Sequence, residues 1–338
     1  MNSPMIEQKA QNAAEKPVIW TRFPVVFATA LFCCILWGSA SPAIKIAYRL
    51  FRIPADDTGS RIMLAGIRFM LAGSMTIVFG SLISRKILIP KPESWKNIGI
   101  LALVQTVGQY YFFFMALANT SGVRGSIINA SGNFIAILYA VYVFRFEKMT
   151  LKKLIGCLVG FAGIFLILGG PKAFMAGGAF TLAGEGAMLA ADLFYGASGC
   201  LIKIFSREEN PVTLSGYQFS IGGMILYFIG LFMGGHLEFH SMSCAWNLLY
   251  MGFISAGAYT LWGILLKYNP VSRVSILGFM NPVMGVLLSA LFLEGEGREA
   301  FSVAGLCALL LVSVGIVIVN SSDMRRRAGM ENNNERMK

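Results

Sequence analysis

The sequence predicts an all-α membrane protein: ten transmembrane helices arranged as two inverted five-helix repeats. Three observations lead there. First, 56% of the 338 residues are hydrophobic and only 13% are charged, with a mean hydropathy of +0.66; a soluble domain carries roughly twice that charged fraction. Second, the apolar residues gather into ten long runs, near 25–47, 61–83, 97–118, 123–144, 151–170, 181–204, 213–234, 244–267, 272–293 and 300–320. About 20 apolar residues are what a helix needs to span a hydrocarbon core of about 30 Å. Third, the second half of the chain repeats the first, five runs to each half.

The first run follows a polar stretch. It is too long for the core of a secretion signal and lacks a small-residue cleavage site, so residues 1–24 are expected to remain as a cytoplasmic tail. Trp37, Ser41 and Lys45 recur every four residues on one of its faces. Pro42 removes a backbone donor and offers a place for the helix to open. The loop IPADDTGS leads to the second run, with Arg68 a turn or two inside it. IPKPES leads to the third, which holds Gln105, Gln109, Tyr110 and the string YYFFF. Arg124 opens the fourth, where Asn129 and Asn133 lie one turn apart. The fifth carries Gly156 and Gly160 and the seventh Gly230 and Gly234, small-residue pairs that let helices approach. The sixth is apolar yet contains Glu185, Asp192 and Lys203. The eighth holds Tyr259 and Trp262, the ninth Asn281 and Pro282. The tenth ends in a basic cytoplasmic tail, 321–338.

The formal charge of +11 sits in the gaps between runs, so it reads as the positive-inside bias and not as a nucleic-acid surface. Lys and Arg concentrate in alternate gaps and in both tails. Both termini are therefore expected in the cytoplasm, which requires an even number of spans, in a cell (inner or plasma) membrane. Cys33, Cys34, Cys157, Cys200, Cys244 and Cys307 show no metal-ligand spacing, and the only histidines, His236 and His240, flank one loop. No metal site and no cofactor are expected. Phosphate-binding, zinc-protease and serine-hydrolase motifs are missing, which weighs against an enzyme.

The repeat is carried by short matches in chain order. WGSASPAIKI (37–46) aligns with YGASGCLIKI (195–204). Gly66, Arg68-Phe69 and Gly73 align with Gly216, Gln218-Phe219 and Gly223, and Tyr110 and Phe113 with Tyr259 and Trp262. RGSII (124–128) aligns with RVSIL (273–277), and Glu147 and Gly156 with Glu296 and Gly305. Five spans per half is an odd number, so the halves enter the membrane in opposite directions, which gives two interchangeable gates around one midplane site. The halves are expected at 25–170 and 181–320.

With these residues in view the chain resembles the EamA type of the drug/metabolite transporter (DMT) superfamily. The resemblance rests on LWGSASPAIKIA (36–47), RFMLAG (68–73), FMALANTSGVRGS (114–126), FRFEKMTLKKLIG (144–156), GEGAMLAADLFYGAS (184–198), GFMNPVMGVLLSALFLEGE (278–296) and GLCALLLVSVGIVI (305–318). It implies export or exchange of small metabolites, often amino acids, without ATP. Two positions depart from the pattern: Asn133 where the other half has Pro282, and Asp192 where a small apolar residue is usual.

A charge at bilayer depth costs about 2.5–3.5 kcal/mol, so each needs a partner, water or a function. Asp192 is about 16 Å into its helix. Glu185 lies two turns earlier and Lys203 about three turns later near the same face, a polar stripe facing a cavity or other helices. Glu185 also fits a cap at the helix start, and Lys45 and Lys203 also fit snorkelling to headgroups. Arg68 fits either a structural role or a substrate carboxylate. The resulting reading is a secondary transporter, exporter or exchanger, working by alternating access on a small amphipathic metabolite such as an amino acid. Its substrate contacts are Trp37, Lys45, Arg68, Gln109, Tyr110, Asn133, Asp192 and Tyr259, and its proton-coupling candidates are Asp192 and Glu185. Partners are the substrate, membrane lipids and protons, with room for a homodimer and none for nucleic acid. The alternatives are a lipid translocase on the same fold and, further off, an intramembrane enzyme.

Overall fold

Every apolar run contains helix in the computed structural model, which describes residues 19–54, 56–120, 128–167, 171, 175, 180–292, 307 and 310–319. In chain order the helices are α1 (Phe23–Leu50), α2 (Thr58–Ser84), α3 (Ser94–Leu117), α4 (Ile128–Val143), α5 (Leu151–Ile167), α6 (Leu182–Phe205), α7 (Pro211–Phe232), α8 (Met242–Tyr268), α9 (271–292) and α10 (Leu310–Val319). Six of them, α1, α2, α3, α6, α7 and α8, are long and apolar enough to cross a membrane, and α4 and α10 are shorter apolar helices. No strand occurs among the described residues. Most of the two tails, Arg124, Glu296 and Gly305 lie outside them.

Local chemistry sets the helix ends. Asp57 precedes α2 and its carboxylate accepts from the Ser60 backbone N–H at 2.8 Å, satisfying a donor that the first turn leaves open. Arg85, at φ 53°, turns the chain out of α2 in the left-handed region. Pro24 and Pro211 stand in the first turns of α1 and α7, where no backbone donor is needed. Asn210 caps α7 by accepting from Val212 N–H at 2.9 Å. α1 runs unbroken through Pro42, so the opening expected there does not occur; the proline leaves one backbone carbonyl without its helical donor and the helix continues past it.

The centre of the molecule is the contact between α2 and α7. Gly59, Gly66 and Gly73 meet Gly230, Gly223 and Gly216 respectively, so the two helices run antiparallel with a glycine every two turns on each. A Cβ at Gly223 would stand 2.6 Å from the Met70 backbone nitrogen and 2.7 Å from the Gly66 carbonyl oxygen. Only hydrogen fits between these backbones.

Around that seam the first helix of each half packs on the other half. α1 lies antiparallel to α8: Cys33 Sγ donates to Ala258 O, Tyr250 OH to Ser39 Oγ and Asn247 Nδ2 to Ala43 O. α6 meets α3 in the same way, with Phe194 stacked on Phe112 and Gly184 against Asn119. Gly38 abuts Met284 and Gly285 of α9, and Gly196 abuts Ile135 and Ala136 of α4. The aligned dipeptides Trp37-Gly38 and Tyr195-Gly196 thus sit in matching crevices.

Candidate functional site

Where α1, α2, α3, α7 and α8 converge, their aromatic side chains form one cluster. Phe69 and Phe219, aligned in the repeat, stack at 5.3 Å. Tyr110 and Tyr259, also aligned, join hydroxyl to hydroxyl at 2.6 Å. Trp37 meets Tyr259 and Trp262 edge-on, each at 5.0 Å, and Phe69 meets Tyr110 at 4.4 Å. Such edge-to-face contacts set the rings in fixed mutual orientation.

Arg68 is buried in this cluster. Its Nε donates to Ser255 Oγ at 3.1 Å, and its guanidinium lies 4.9 Å from the Phe69 ring and 5.7 Å from the Tyr110 ring. The ring faces offer it negative quadrupole, and no carboxylate is within ion-pair distance among the described residues. Its aligned residue, Gln218, does the corresponding job with neutral groups: Thr106 Oγ1 donates to Gln218 Oε1 at 2.7 Å, and Gln218 Nε2 donates to Gln105 Oε1 at 3.0 Å. One position of the repeat therefore carries a cation and its mate an amide.

A second polar group lies between α4 and α6. Asp192 is 1% exposed, and its carboxylate accepts from Ser131 Oγ at 3.0 Å. Tyr195 OH donates to Asn133 Oδ1 at 3.3 Å, and Asn133 packs against Gly278 of α9. At the repeat offset that pairs Trp37 with Tyr195, the mate of Asp192 is Cys34, a buried thiol bonded to the Leu277 carbonyl. Here one half holds a carboxyl where the other holds a thiol. A void of about 10 Å³ is lined by Gln105, Tyr195, Ser198, Tyr259, Trp262 and Ser275, and not by Arg68 or Asp192; it has room for about one water.

Of the sequence-predicted residues, Trp37, Arg68, Tyr110 and Tyr259 are brought together, and Asn133 and Asp192 form the neighbouring group. Gln109 is half-buried beside Tyr110, with Oε1 unpartnered. Glu185 and Lys45 lie apart. Glu185 is buried at the start of α6 and accepts from Thr120 Oγ1 at 2.6 Å, Thr181 N at 2.8 Å and Thr181 Oγ1 at 3.1 Å, the helix-start alternative of the two readings. Lys45 is exposed on α1. Lys203, the end of the expected stripe, donates from Nζ to the carbonyls of Leu266 at 3.0 Å and Asn269 at 2.5 Å; it closes the C-terminal turn of α8. Ser131, Ser255 and Gln218 escaped the sequence reading. Gln218 had a signal, its alignment with Arg68; the two serines had none, because small hydroxyl residues are ordinary in membrane helices.

Outside the spans, Glu147 in the turn between α4 and α5 accepts from Lys153 Nζ at 2.7 Å, from the Ser272 backbone N–H at 3.2 Å and from Ser272 Oγ. Burial opposes its ionisation, but the bonds from Lys153 and Ser272 outweigh that and hold the carboxyl below its ordinary range.

Long apolar helices interlocked around buried Arg68 and Asp192 fit a multi-pass membrane protein of the transporter class. The sequence model of the EamA-like transporter family matches residues 25–169 and again 182–321, and the chain belongs to that family, within the DMT superfamily. It is similar to a probable amino-acid metabolite efflux pump of Salmonella typhimurium, 28% identical over 304 residues, 86% of this chain and 92% of that one. The protein of the same description from Escherichia coli is 26% identical over 281 residues, covering 78% and 86%. A WAT1-related chloroplastic protein of Arabidopsis thaliana is 27% identical over 295 residues, and the match spans 84% of this chain and 66% of the plant protein. A crystal structure with a TM-score of 0.70 and 19% identity, covering 89% of this chain and 97% of that one, shares the fold. Family and relatives point to a transporter and not to an enzyme.

Proposed function

We propose that the chain is a secondary transporter that exports or exchanges a small amphipathic metabolite such as an amino acid. The two halves act as inverted repeats in a cell membrane, with both termini in the cytoplasm. Support for the inversion comes from the antiparallel α2–α7 seam and from the way α1 and α6 exchange places against the opposite half. Substrate binds among Trp37, Arg68, Gln109, Tyr110, Asn133, Asp192 and Tyr259, and the site opens alternately to each side.

One observation carries the reading. Arg68 is a buried cation held by Ser255 and two ring faces, Asp192 a buried carboxyl with one hydroxyl donor among the described residues, and their repeat mates, Gln218 and Cys34, fill matching places with an amide and a thiol. The packing therefore has no need of either charge, and a cost of about 2.5–3.5 kcal/mol for each at bilayer depth is offset elsewhere, by substrate. A carboxylate suits Arg68. An ammonium or a proton suits Asp192. One elementary charge crossing 100 mV is worth about 2.3 kcal/mol, enough for a single coupled proton to set direction. The names of the two enterobacterial relatives favour amino-acid metabolites as substrates.

The test is counterflow of radiolabelled amino acids in proteoliposomes under imposed pH gradients. Parent protein is expected to respond to the gradient, and Asp192→Asn to exchange without that response. If the variant equals the parent at every gradient, Asp192 is not the coupling acid. If the parent carries no amino acid, that substrate class is wrong.

A further inference from the structure

Three buried donors on α1 and α2 have no acceptor: Trp37 Nε1, Tyr48 OH and Arg61 Nε. Trp37 and Tyr48 are eleven residues apart, three helical turns or about 16 Å on one face of α1. Arg61 and Arg68 are seven residues apart, two turns or about 10 Å on one face of α2. Tyr48 ties the two pairs together. The Arg61 guanidinium lies 4.8 Å from its ring, and that ring packs on the cluster that holds Phe69, Tyr110 and Tyr259.

Among the described residues no acid pairs with these cations. Asp57 is turned to the Ser60 N–H at the start of α2, and among the described residues Arg61 makes no ion pair and one hydrogen bond, a long one of 3.4 Å from Nη2 to the Pro54 carbonyl. Leaving a buried donor without an acceptor is unfavourable, so three in one strip are a standing demand for acceptor atoms. The other half again serves as a control. At the repeat offsets the mates of Tyr48 and Arg61 are Ser206 and Pro211, one bonded within its own helix to the Lys203 carbonyl, the other bearing no side-chain donor. The strip belongs to one end of the protein only, the end where α1 finishes and α2 begins.

We propose that Arg61, Tyr48 and Arg68 form a one-sided oxyanion track: an outer subsite at Arg61 and Tyr48 takes the carboxylate of a small molecule and hands it two turns inward to Arg68 and Trp37. This rests on the reading of the aromatic cluster as the substrate site, and it adds a selectivity that cluster alone does not have. Molecules bearing a carboxylate are admitted from the Arg61 end ahead of neutral or purely cationic ones of the same shape. Bonds from a cation to a carboxylate are about twice as strong as neutral ones, and a guanidinium can present two donors at once.

The test uses the full-length protein in detergent, with thermal unfolding as the readout, since a ligand of the native state raises the midpoint in proportion to its binding. The probes are benzoate, its neutral isostere benzamide, and inorganic phosphate. Benzoate is expected to raise the midpoint and benzamide to leave it unmoved. A shift with benzoate but not phosphate assigns the track to a substrate carboxylate; equal shifts assign it to free oxyanions. Arg61→Gln and Tyr48→Phe are expected to need about tenfold more benzoate for the same shift, with Arg61→Lys closer to the parent and midpoints without ligand confirming that each variant is folded. Equal shifts from benzoate and benzamide overturn the proposal, as does a parent-like benzoate response in both Arg61→Gln and Tyr48→Phe. If proteoliposomes carry no amino acid while the Arg61-dependent benzoate shift persists, the substrate reading falls and the track stands.

Discussion

Glu185 and Asp192 are two carboxylates on one helix, two turns apart, both buried, and their surroundings differ completely. Among the described residues, Glu185 accepts from Thr120 and from both the backbone and the hydroxyl of Thr181. Those bonds tie the start of α6 to the end of α3. Asp192 accepts one, from Ser131. A carboxylate offers about four lone-pair sites, so Glu185 is nearly saturated and Asp192 is not. The contrast teaches how to sort buried charges in a membrane protein. A saturated acid is part of the frame, and an under-bonded one has lone pairs left over, which the proposed function assigns to a ligand.

The widest separation between the two is expected in transport. Asp192→Asn should lower gradient-driven flux at least about tenfold, the effect of about 1.4 kcal/mol, with little change in thermal stability, since asparagine keeps the Ser131 contact. Glu185→Gln should do the reverse. Losing an acceptor among packed donors should cost about 1–3 kcal/mol of stability, seen as a lower unfolding midpoint in detergent, while flux per folded molecule stays near the parent. Should Glu185→Gln abolish flux in folded protein, the division between frame and site is wrong.

The α2–α7 seam offers a comparable check on the frame itself. Gly223→Ala places a methyl against the Gly66 and Met70 backbones, which cannot rotate away, and should cost about 1–3 kcal/mol in the same unfolding assay. Gly99, with open space around its Cβ position, is the matched control and should tolerate alanine. Parent-like stability in Gly223→Ala would mean the seam is looser than the distances imply.

The smallest expected effect lies outside the spans. The Glu147 carboxyl is held below its ordinary range by Lys153 and Ser272 against the opposing effect of burial. A depressed folded-state value means the stabilisation is fully present above the ordinary carboxylate range and is lost as pH falls through the depressed one. The unfolding midpoint of the parent should therefore drop in acid more than that of Glu147→Gln, whose side chain does not titrate there. Parallel pH profiles would remove Glu147 from the acid response.

Much of the frame was legible in the residues. Length, low charge and ten apolar runs determine a helical membrane protein, because in hydrocarbon each backbone donor must be met within its own segment, and only continuous helix does that for runs of this kind. The internal matches were legible for a similar reason: aligned glycines and aromatics, Gly66 and Gly73 with Gly216 and Gly223, and Phe69 with Phe219, also make close contacts. The roles of individual charges were not. Asp192, Glu185 and Lys203 look like one stripe along α6, yet Lys203 caps α8, Glu185 ties down α3, and Asp192 alone faces a single hydroxyl. Arg68 and Gln218 are aligned in sequence, but only the fold shows that one rests on a serine and two rings and the other on a threonine and a glutamine. Hydrophobic patterning is local and survives in the sequence. Compensation of a charge depends on donors supplied by other helices far away along the chain, and the tertiary structure alone decides which of them arrive.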